Sequence, residues 1–83
     1  MTGFLYILQS LKNSRYYIGS TNALAWRLTE HNRGKVTSTK LTQPWKMVYS
    51  QEFPTLVAAR QAEFQLKKQK SRKVIEQMVR AVR

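Results

Sequence analysis

The chain has 83 residues, enough for one domain with a modest core, so we expect residues 1–83 to fold as a single unit. Its 15 Lys and Arg against 4 acidic residues give a formal net charge of +11, which favours a nucleic acid as partner, because basic side chains gain affinity by releasing condensed counterions. The chain has no cysteine, which excludes disulfides, thiolate metal sites and a cysteine nucleophile and fits a cytoplasmic location.

Two alternatives stay open at this level. The charge does not choose between DNA and RNA, and a generically basic small protein would have the same composition.

The first residues lack a basic segment followed by a long apolar run, and no stretch approaches the ~20 apolar residues that span a bilayer. We therefore expect an unexported protein with no membrane partner; its oligomeric state cannot be read from the sequence.

A hairpin opens the chain. Residues 3–9 are rich in β-forming side chains and predict a strand, residues 10–15 carry turn chemistry, and residues 16–19 return as a second strand. Lys12 and Arg15 in the turn are candidate contacts to a phosphate backbone, although cations at a hairpin tip are more often simply solvated.

A helix follows the hairpin. Thr21 or Asn22 is the predicted cap, the helix runs to about residue 33, and Gly34 is the predicted stop. Leu24 and Leu28 lie one turn apart and would form its buried stripe.

Two basic side chains of this helix, Arg27 and His31, also lie one turn apart on another face, so packing does not demand them. The two strands and the helix would bring Tyr6 and Tyr17 within reach of both. The alternative for Arg27 is a surface salt bridge, which the scarcity of acids makes weaker.

Residues 34–43 are polar, without helical or strand periodicity, and predict a flexible loop. Its Lys35 and Lys40, among hydroxyl side chains, suit phosphate contact, although ordinary linkers often look the same. Residues 45–53 predict a third strand. Its large apolar side chains are expected on one side, as core rather than as a base-stacking platform: Trp45, Met47, Tyr49 and Phe53.

Two further helices complete the fold. An apolar stripe predicts the first over residues 55–69: Leu56, Ala59, Ala62 and Leu66. Ser71 would cap the second, whose apolar residues would dock on the sheet or on a second copy: Val74, Ile75, Met78, Val79 and Val82. The predicted class is α+β, a small three-stranded antiparallel sheet flanked by helices, in the order β-β-α-β-α-α.

Glu63 falls inside the apolar stripe of the 55–69 helix, where burial costs several kcal/mol unless a cation or a metal meets the carboxylate. An ion pair with a Lys or Arg is the simpler explanation. All 4 acids are glutamates on separate elements, so a site of several carboxylates is excluded, whereas one carboxylate holding one hydrated Mg²⁺ or Mn²⁺ is feasible. Lys67, in the basic run after Glu63, is a candidate nucleic-acid contact.

The order of these motifs resembles the GIY-YIG endonuclease family, in particular its small stand-alone members. The resemblance covers almost the whole chain and is carried by Tyr17-Ile18-Gly19, an Arg ten residues after that tyrosine, an Arg-x-x-x-His helix, Pro44-Trp45-Lys46 and the helical Glu63. It implies a metal-dependent endonuclease that hydrolyses phosphodiester bonds in DNA, directed by structure or damage, as in repair or recombination.

The resemblance also implies roles. Glu63 matches the glutamate that carries the divalent ion, Tyr17 the tyrosine that takes the proton from the attacking water, and Arg27 the arginine that stabilises charge on the phosphate. Tyr6 and His31 match supporting positions, and whether Tyr17 or His31 accepts the proton is left open. A free tyrosine titrates near pH ~10 and needs neighbouring cations to act near neutrality.

This sequence departs from the family pattern at two places. Its first triad reads Phe4-Leu5-Tyr6, keeping only the tyrosine, and Ser20 stands where relatives in excision repair have a lysine. The alternative function, which the high charge alone would support, is a module of the same fold that binds nucleic acid, RNA included, and cuts it weakly or not at all. A third alternative is a basic RNA-associated protein in which Glu63 forms a structural ion pair.

Overall fold

The first strand is the centre of the sheet. The structure, a computed structural model, describes residues 2–81, and for 37 and 38 the backbone only. β1 (Gly3–Ser10) pairs antiparallel with β2 (Tyr16–Thr21) on one side and with β3 (Trp45–Phe53) on the other. The predicted α+β class and the element order are confirmed, with β2 two residues longer than predicted.

The first helix, α1 (Leu24–Asn32), begins later than predicted. Its N-cap is Ala23, with no side-chain capping bond, so the predicted cap at Thr21 or Asn22 is wrong. The hydroxyl of Thr21 instead accepts the backbone N–H of Ala23 at 3.1 Å, in the turn that leaves β2. Gly34 follows the helix with φ +74°, as a helix stop requires.

The predicted flexible loop over residues 34–43 is largely a 3-10 helix, Thr37–Thr42. Hydrogen bonds from elsewhere in the chain fix it: the indole N–H of Trp45 donates to the carbonyl of Thr39 at 3.0 Å, and the hydroxyl of Ser10 donates to the carbonyl of Thr42 at 2.5 Å. Ser10 lies 32 residues from Thr42, and Trp45 belongs to the next strand, so no periodicity within residues 34–43 could reveal either bond.

Helices cover both faces of the sheet. On one face Tyr6, Leu8 and Trp45 form a core on which Leu24 and Leu28 of α1 pack. On the other face Leu5 and Ile7 pack against α2 (Leu56–Gln69) and α3 (Arg72–Ala81). The α3 residues in that core are Val74, Ile75 and Met78. The last helix therefore docks on the sheet; Val82, also predicted as apolar docking surface, lies outside the described residues.

The predicted one-sided row of large residues in β3 is wrong. The pairing shifts between Ile7 and Leu8, where β3 contains an irregularity. As a result Trp45 and Met47 belong to the α1 side of the sheet, and Tyr49 and Phe53 to the side of α2 and α3. A bulge changes the face on which alternate residues lie, which a strict two-residue period cannot anticipate.

The two C-terminal helices start at capping side chains. The hydroxyl of Thr55 accepts the N–H of Ala58 at 3.1 Å, and that of Ser71 accepts the N–H of Val74 at 3.3 Å. Both helices occupy the predicted positions within a residue or two. Across residues 2–81, no helix combines the length and the hydropathy needed to cross a membrane.

Candidate active site

Tyr6 is the hub of a hydrogen-bonded cluster between β1 and α1. Its side chain is 1% exposed, and its hydroxyl lies 3.2 Å from Nε2 of His31. Nε of Arg27 donates to the same hydroxyl at 3.4 Å. The one-turn spacing of Arg27 and His31 thus places both on the same tyrosine.

The protonation of His31 follows from its second nitrogen. The hydroxyl of Thr39 donates to the carbonyl of Val36 at 3.3 Å, which leaves its oxygen to accept from Nδ1–H of His31, 2.8 Å away. Nε2 is then the unprotonated nitrogen and accepts the O–H of Tyr6. Burial, with a smaller effect of the Arg27 charge, lowers the pKa of His31 to about 4, so the imidazole is neutral at pH 7.

Arg27 is held but reachable. Its guanidinium is bonded to Tyr6 and to the carboxylate of Glu30 at 3.2 Å, and its side chain is 34% exposed. The bond to Tyr6, with a smaller contribution from Glu30, raises the pKa of Arg27, so its positive charge is permanent. The salt bridge considered as the alternative role of Arg27 is therefore present, with Glu30 of the same helix as the partner. Arg27 also donates to Tyr6, which a surface salt bridge alone would not require.

Burial raises the pKa of the Tyr6 phenol, while the bond from Arg27 lowers it and the charges of Tyr17 and Glu63 raise it further. The balance keeps Tyr6 protonated at neutral pH. A buried phenol that donates to a neutral imidazole is suited to fixing geometry rather than to losing a proton.

Tyr17 lies beside this cluster on the edge strand. Its ring centroid is 4.7 Å from that of His31 and 6.4 Å from that of Tyr6, and it also contacts Trp45 edge-on. Tyr17 is half-buried, in contrast to Tyr6 and His31. It is therefore the tyrosine of the cluster that keeps contact with solvent.

Gly19 leaves space for the side chain of Tyr6. A Cβ at this position would overlap the ring and the hydroxyl of Tyr6, which lies opposite it in the β1–β2 pair. The glycine of the Tyr17-Ile18-Gly19 motif thus makes room for the buried tyrosine. A larger residue would push Tyr6 away from His31.

Glu63 reaches the site from the other side of the sheet. It lies on α2, at the open edge of β2, with its side chain 21% exposed. One carboxylate oxygen accepts the hydroxyl of Ser20 at 2.5 Å, and the other accepts Nζ of Lys67 at 2.7 Å. The ion pair considered as the simpler explanation for Glu63 is thus present, and Lys67 links Glu63 to Tyr17, whose ring centroid is 5.9 Å from Nζ.

Glu63 is also the carboxylate available to a metal ion at this edge. Among residues 2–81 no three His, Asp or Glu side chains gather into a ligand cluster. A partly exposed carboxylate beside a hydroxyl suits a hydrated Mg²⁺ or Mn²⁺, which takes few protein ligands and keeps much of its water. Lys67 is half-exposed and would have to leave Glu63 for such an ion.

The predicted basic contacts lie on the hairpin turn, on the segment between α1 and β3, and on α2. Lys67 and Arg15 line a common pocket beside β2, whereas Lys12 donates to the carbonyl of Leu41 at 3.2 Å and joins the hairpin turn to the 3-10 helix. Lys35 and Lys40 are exposed on the segment between α1 and β3. All five side chains are exposed to solvent.

Sequence reasoning missed two residues of the site. Thr39, which orients His31, was assigned to a featureless loop, and no sequence signal marks it. Ser20 was treated as the loss of a lysine, yet it donates to Glu63. Its position directly after the Tyr17-Ile18-Gly19 motif was the one available signal.

The model of the GIY-YIG catalytic domain matches residues 2–76 of this chain. The chain therefore belongs to the GIY-YIG family, a family of nucleases.

The relatives are small UPF0213 proteins. The UPF0213 protein YazA of Bacillus subtilis (strain 168) is 38% identical over 66 residues, which cover 78% of this chain and 66% of that protein, just under two thirds of its length. UPF0213 protein RBAM_000440 of Bacillus velezensis is 39% identical over 77 residues, 92% of this chain and 76% of that protein. The solution NMR structure of the UPF0213 protein BH0048 from Bacillus halodurans matches with a TM-score of 0.60 at 30% identity, over 98% of this chain and 85% of that one.

Proposed function

We propose that this protein is an endonuclease that hydrolyses phosphodiester bonds in DNA with the aid of a divalent metal ion, Mg²⁺ or Mn²⁺. The observation that supports it most is the cluster of Tyr6, His31 and Arg27 beside the more exposed Tyr17. Hydrolysis needs a group that takes a proton from water and a fixed cation for the charge that develops on phosphate, and the cluster offers both. The net charge of +11 supports a polyanionic substrate.

Tyr17 is the proposed proton acceptor, and His31 a positioning residue. His31 is 0% exposed, and both of its nitrogens are engaged by Tyr6 and Thr39, so an attacking water cannot reach it. Tyr17 packs on His31 yet stays only half-buried, so it is the more exposed of the two candidate proton acceptors. Arg27 would stabilise the phosphate, since Tyr6 and Glu30 fix its guanidinium while a third of the side chain remains exposed.

Glu63 would hold the metal ion, with the hydroxyl of Ser20 as a neighbouring oxygen. When bound, a divalent ion polarises the phosphate and aids departure of the leaving oxygen. Lys67 neutralises Glu63 in the metal-free protein and would be released to contact a DNA phosphate.

The proposed substrates are branched, flapped or damaged DNA, as in repair or recombination. The exposed cations Lys12, Arg15, Lys35 and Lys40 suit contacts to the phosphate backbone. Such contacts position a nucleic acid without reading its sequence.

The test is incubation of the protein with nicked, flapped and single-stranded DNA in the presence of Mg²⁺ or Mn²⁺. Glu63→Gln is expected to keep DNA binding and lose cleavage. Glu52→Gln, which removes an exposed carboxylate from β3, is the matched control and should cut like the wild type. Absence of any Glu63-dependent product on all three substrates would refute the proposal.

The second candidate is a nucleic-acid-binding module that does not cut, and the Glu63–Lys67 pair favours it. An ammonium 2.7 Å from this partly buried carboxylate already supplies a cation that neutralises it. In that case the wild type and Glu63→Gln would bind DNA or RNA equally and release no product with any divalent ion.

A further inference from the structure

A pocket of about 410 Å³ lies along the outer edge of β2, between the end of α2 and the start of α3. We call it the edge pocket. Its walls include the apolar side chains of Ile18, Leu66 and Ile75 and the ring of Tyr16, and it shares Tyr17 with the candidate active site. Its volume falls in the range of about 300–1,000 Å³ that is usual for small-ligand sites.

Basic side chains surround this apolar floor. Four of the ten lining residues are cationic and none is acidic: Arg15, Lys67, Lys70 and Arg72. Within residues 2–81, Arg15 and Lys70 form no ion pair, whereas Lys67 pairs with Glu63 and Arg72 with Glu76. An apolar interior with a positive rim complements a ligand that has a flat, uncharged part and a negative part.

Arg72 forms a pre-organised wall of the pocket. Its guanidinium lies over the ring of Tyr16, 4.9 Å from the centroid, and donates to the carbonyl of Ser14 at 3.3 Å. Nε is 3.6 Å from the carboxylate of Glu76, and the side chain is still 54% exposed. A guanidinium plane fixed in this way can stack on a nucleobase, as aromatic rings do.

We propose that the edge pocket takes the base of an unpaired nucleotide in the DNA substrate, beside the bond that is cut. This inference rests on the proposed nuclease function and adds the feature of the substrate that is recognised. The base would lie on the apolar floor and stack on Arg72, and the flanking phosphates would meet Arg15 and Lys70. Because Tyr17 lines both sites, the strand that enters the pocket passes the proposed proton acceptor.

The experiment measures binding without divalent ions, so that the DNA stays intact. Fluorescence anisotropy compares a labelled duplex that carries one unpaired thymidine with the same duplex in which an abasic residue replaces that thymidine. Both have the same phosphates and the same interruption of the helix. Stacking predicts about tenfold tighter binding of the duplex with the base. Equal affinity for the two would overturn the proposal.

Variants on α3 locate the effect. Arg72→Gln is expected to abolish the preference for the base, and Arg72→Lys, which keeps the charge but not the plane, to reduce it. Arg80→Gln removes an equal charge from an exposed position outside the pocket and should weaken both complexes equally, with the preference intact. Equal preferences in Arg72→Gln and Arg80→Gln would overturn the assignment. The preference is a ratio of affinities, so a loss of folded protein does not change it.

Three results separate this inference from the proposed function. Competition by free thymidine monophosphate at the concentration at which the strand binds would indicate a site for free nucleotides and would overturn the assignment to a DNA strand. Binding with no base preference contradicts the edge pocket alone. Failure to bind any DNA form contradicts the proposed function too.

Discussion

Acidification should destabilise the fold through the one histidine of the chain. The pKa of His31 lies near 4 in the folded protein, against an ordinary value of 6.5, chiefly because the ring is buried. Between pH ~6.5 and pH ~4, the imidazole is therefore protonated in the unfolded chain but not in the folded chain. This contribution to the free energy of unfolding is fully present above pH ~6.5 and is lost as the pH falls towards 4. The loss is about 2 kcal/mol at pH 5 and at most about 3 kcal/mol below pH 4.

Urea unfolding followed by circular dichroism at pH 7 and pH 5 measures this loss, and a His31→Gln variant is the control. The titratable groups that face the ring are Arg27, Glu30, Tyr6 and Tyr17, and the variant keeps all four, so any loss that they cause appears in both proteins. His31→Gln should be less stable than the wild type at pH 7, and its free energy of unfolding should change little between pH 7 and pH 5. Equal stability of the wild type at both pH values, or the same loss in the variant, would refute the reasoning.

Three substitutions test the packing that supports the site, each by urea unfolding. Gly19→Ala forces a methyl group into the ring of Tyr6 and should cost about 1–3 kcal/mol; an unchanged midpoint would contradict the close approach of the Tyr6 ring to Gly19. Thr39→Val leaves Nδ1–H of His31 unpaired and should cost about 1–3 kcal/mol, whereas Thr39→Ser should stay close to the wild type; equal losses would rule out the hydroxyl as the cause. Thr55→Ala removes the cap of α2 and should cost about 1 kcal/mol, and no loss would mean that the cap bond does not contribute.

Much of the fold was predictable from short-range sequence patterns. The aromatic hairpin, the apolar stripe of α2 and the cap at Ser71 depend on the spacing of nearby residues, and these elements lie close to their predicted bounds. The spacing of Arg27 and His31 likewise placed both on one helical face and hence on Tyr6. The elements that depend on interactions between nearby residues are therefore the ones that the sequence predicts.

The features that the sequence could not predict depend on contacts between different elements of the fold. The irregularity in β3 divides Trp45 and Tyr49 between the two faces because β3 must fit β1, and nothing in β3 alone marks it. Thr39 orients His31 only because a 3-10 helix anchored by Trp45 holds it there. By contrast, the pair of Glu63 and Lys67 was readable from their spacing of four residues on a helix.

The central claim is that the Arg27 guanidinium, which is bonded to Tyr6, stabilises the charge on the phosphate during cleavage. Single-turnover cleavage of an end-labelled flapped duplex with Mg²⁺ or Mn²⁺ tests it. Arg27→Gln should slow the wild-type rate by about 10²–10³-fold, the usual effect of losing one pre-organised group that stabilises the transition state. Arg33→Gln removes an exposed charge at the end of the same helix and should leave the rate near that of the wild type. Equal rates for Arg27→Gln and Arg33→Gln, or no product from the wild type, would contradict the account.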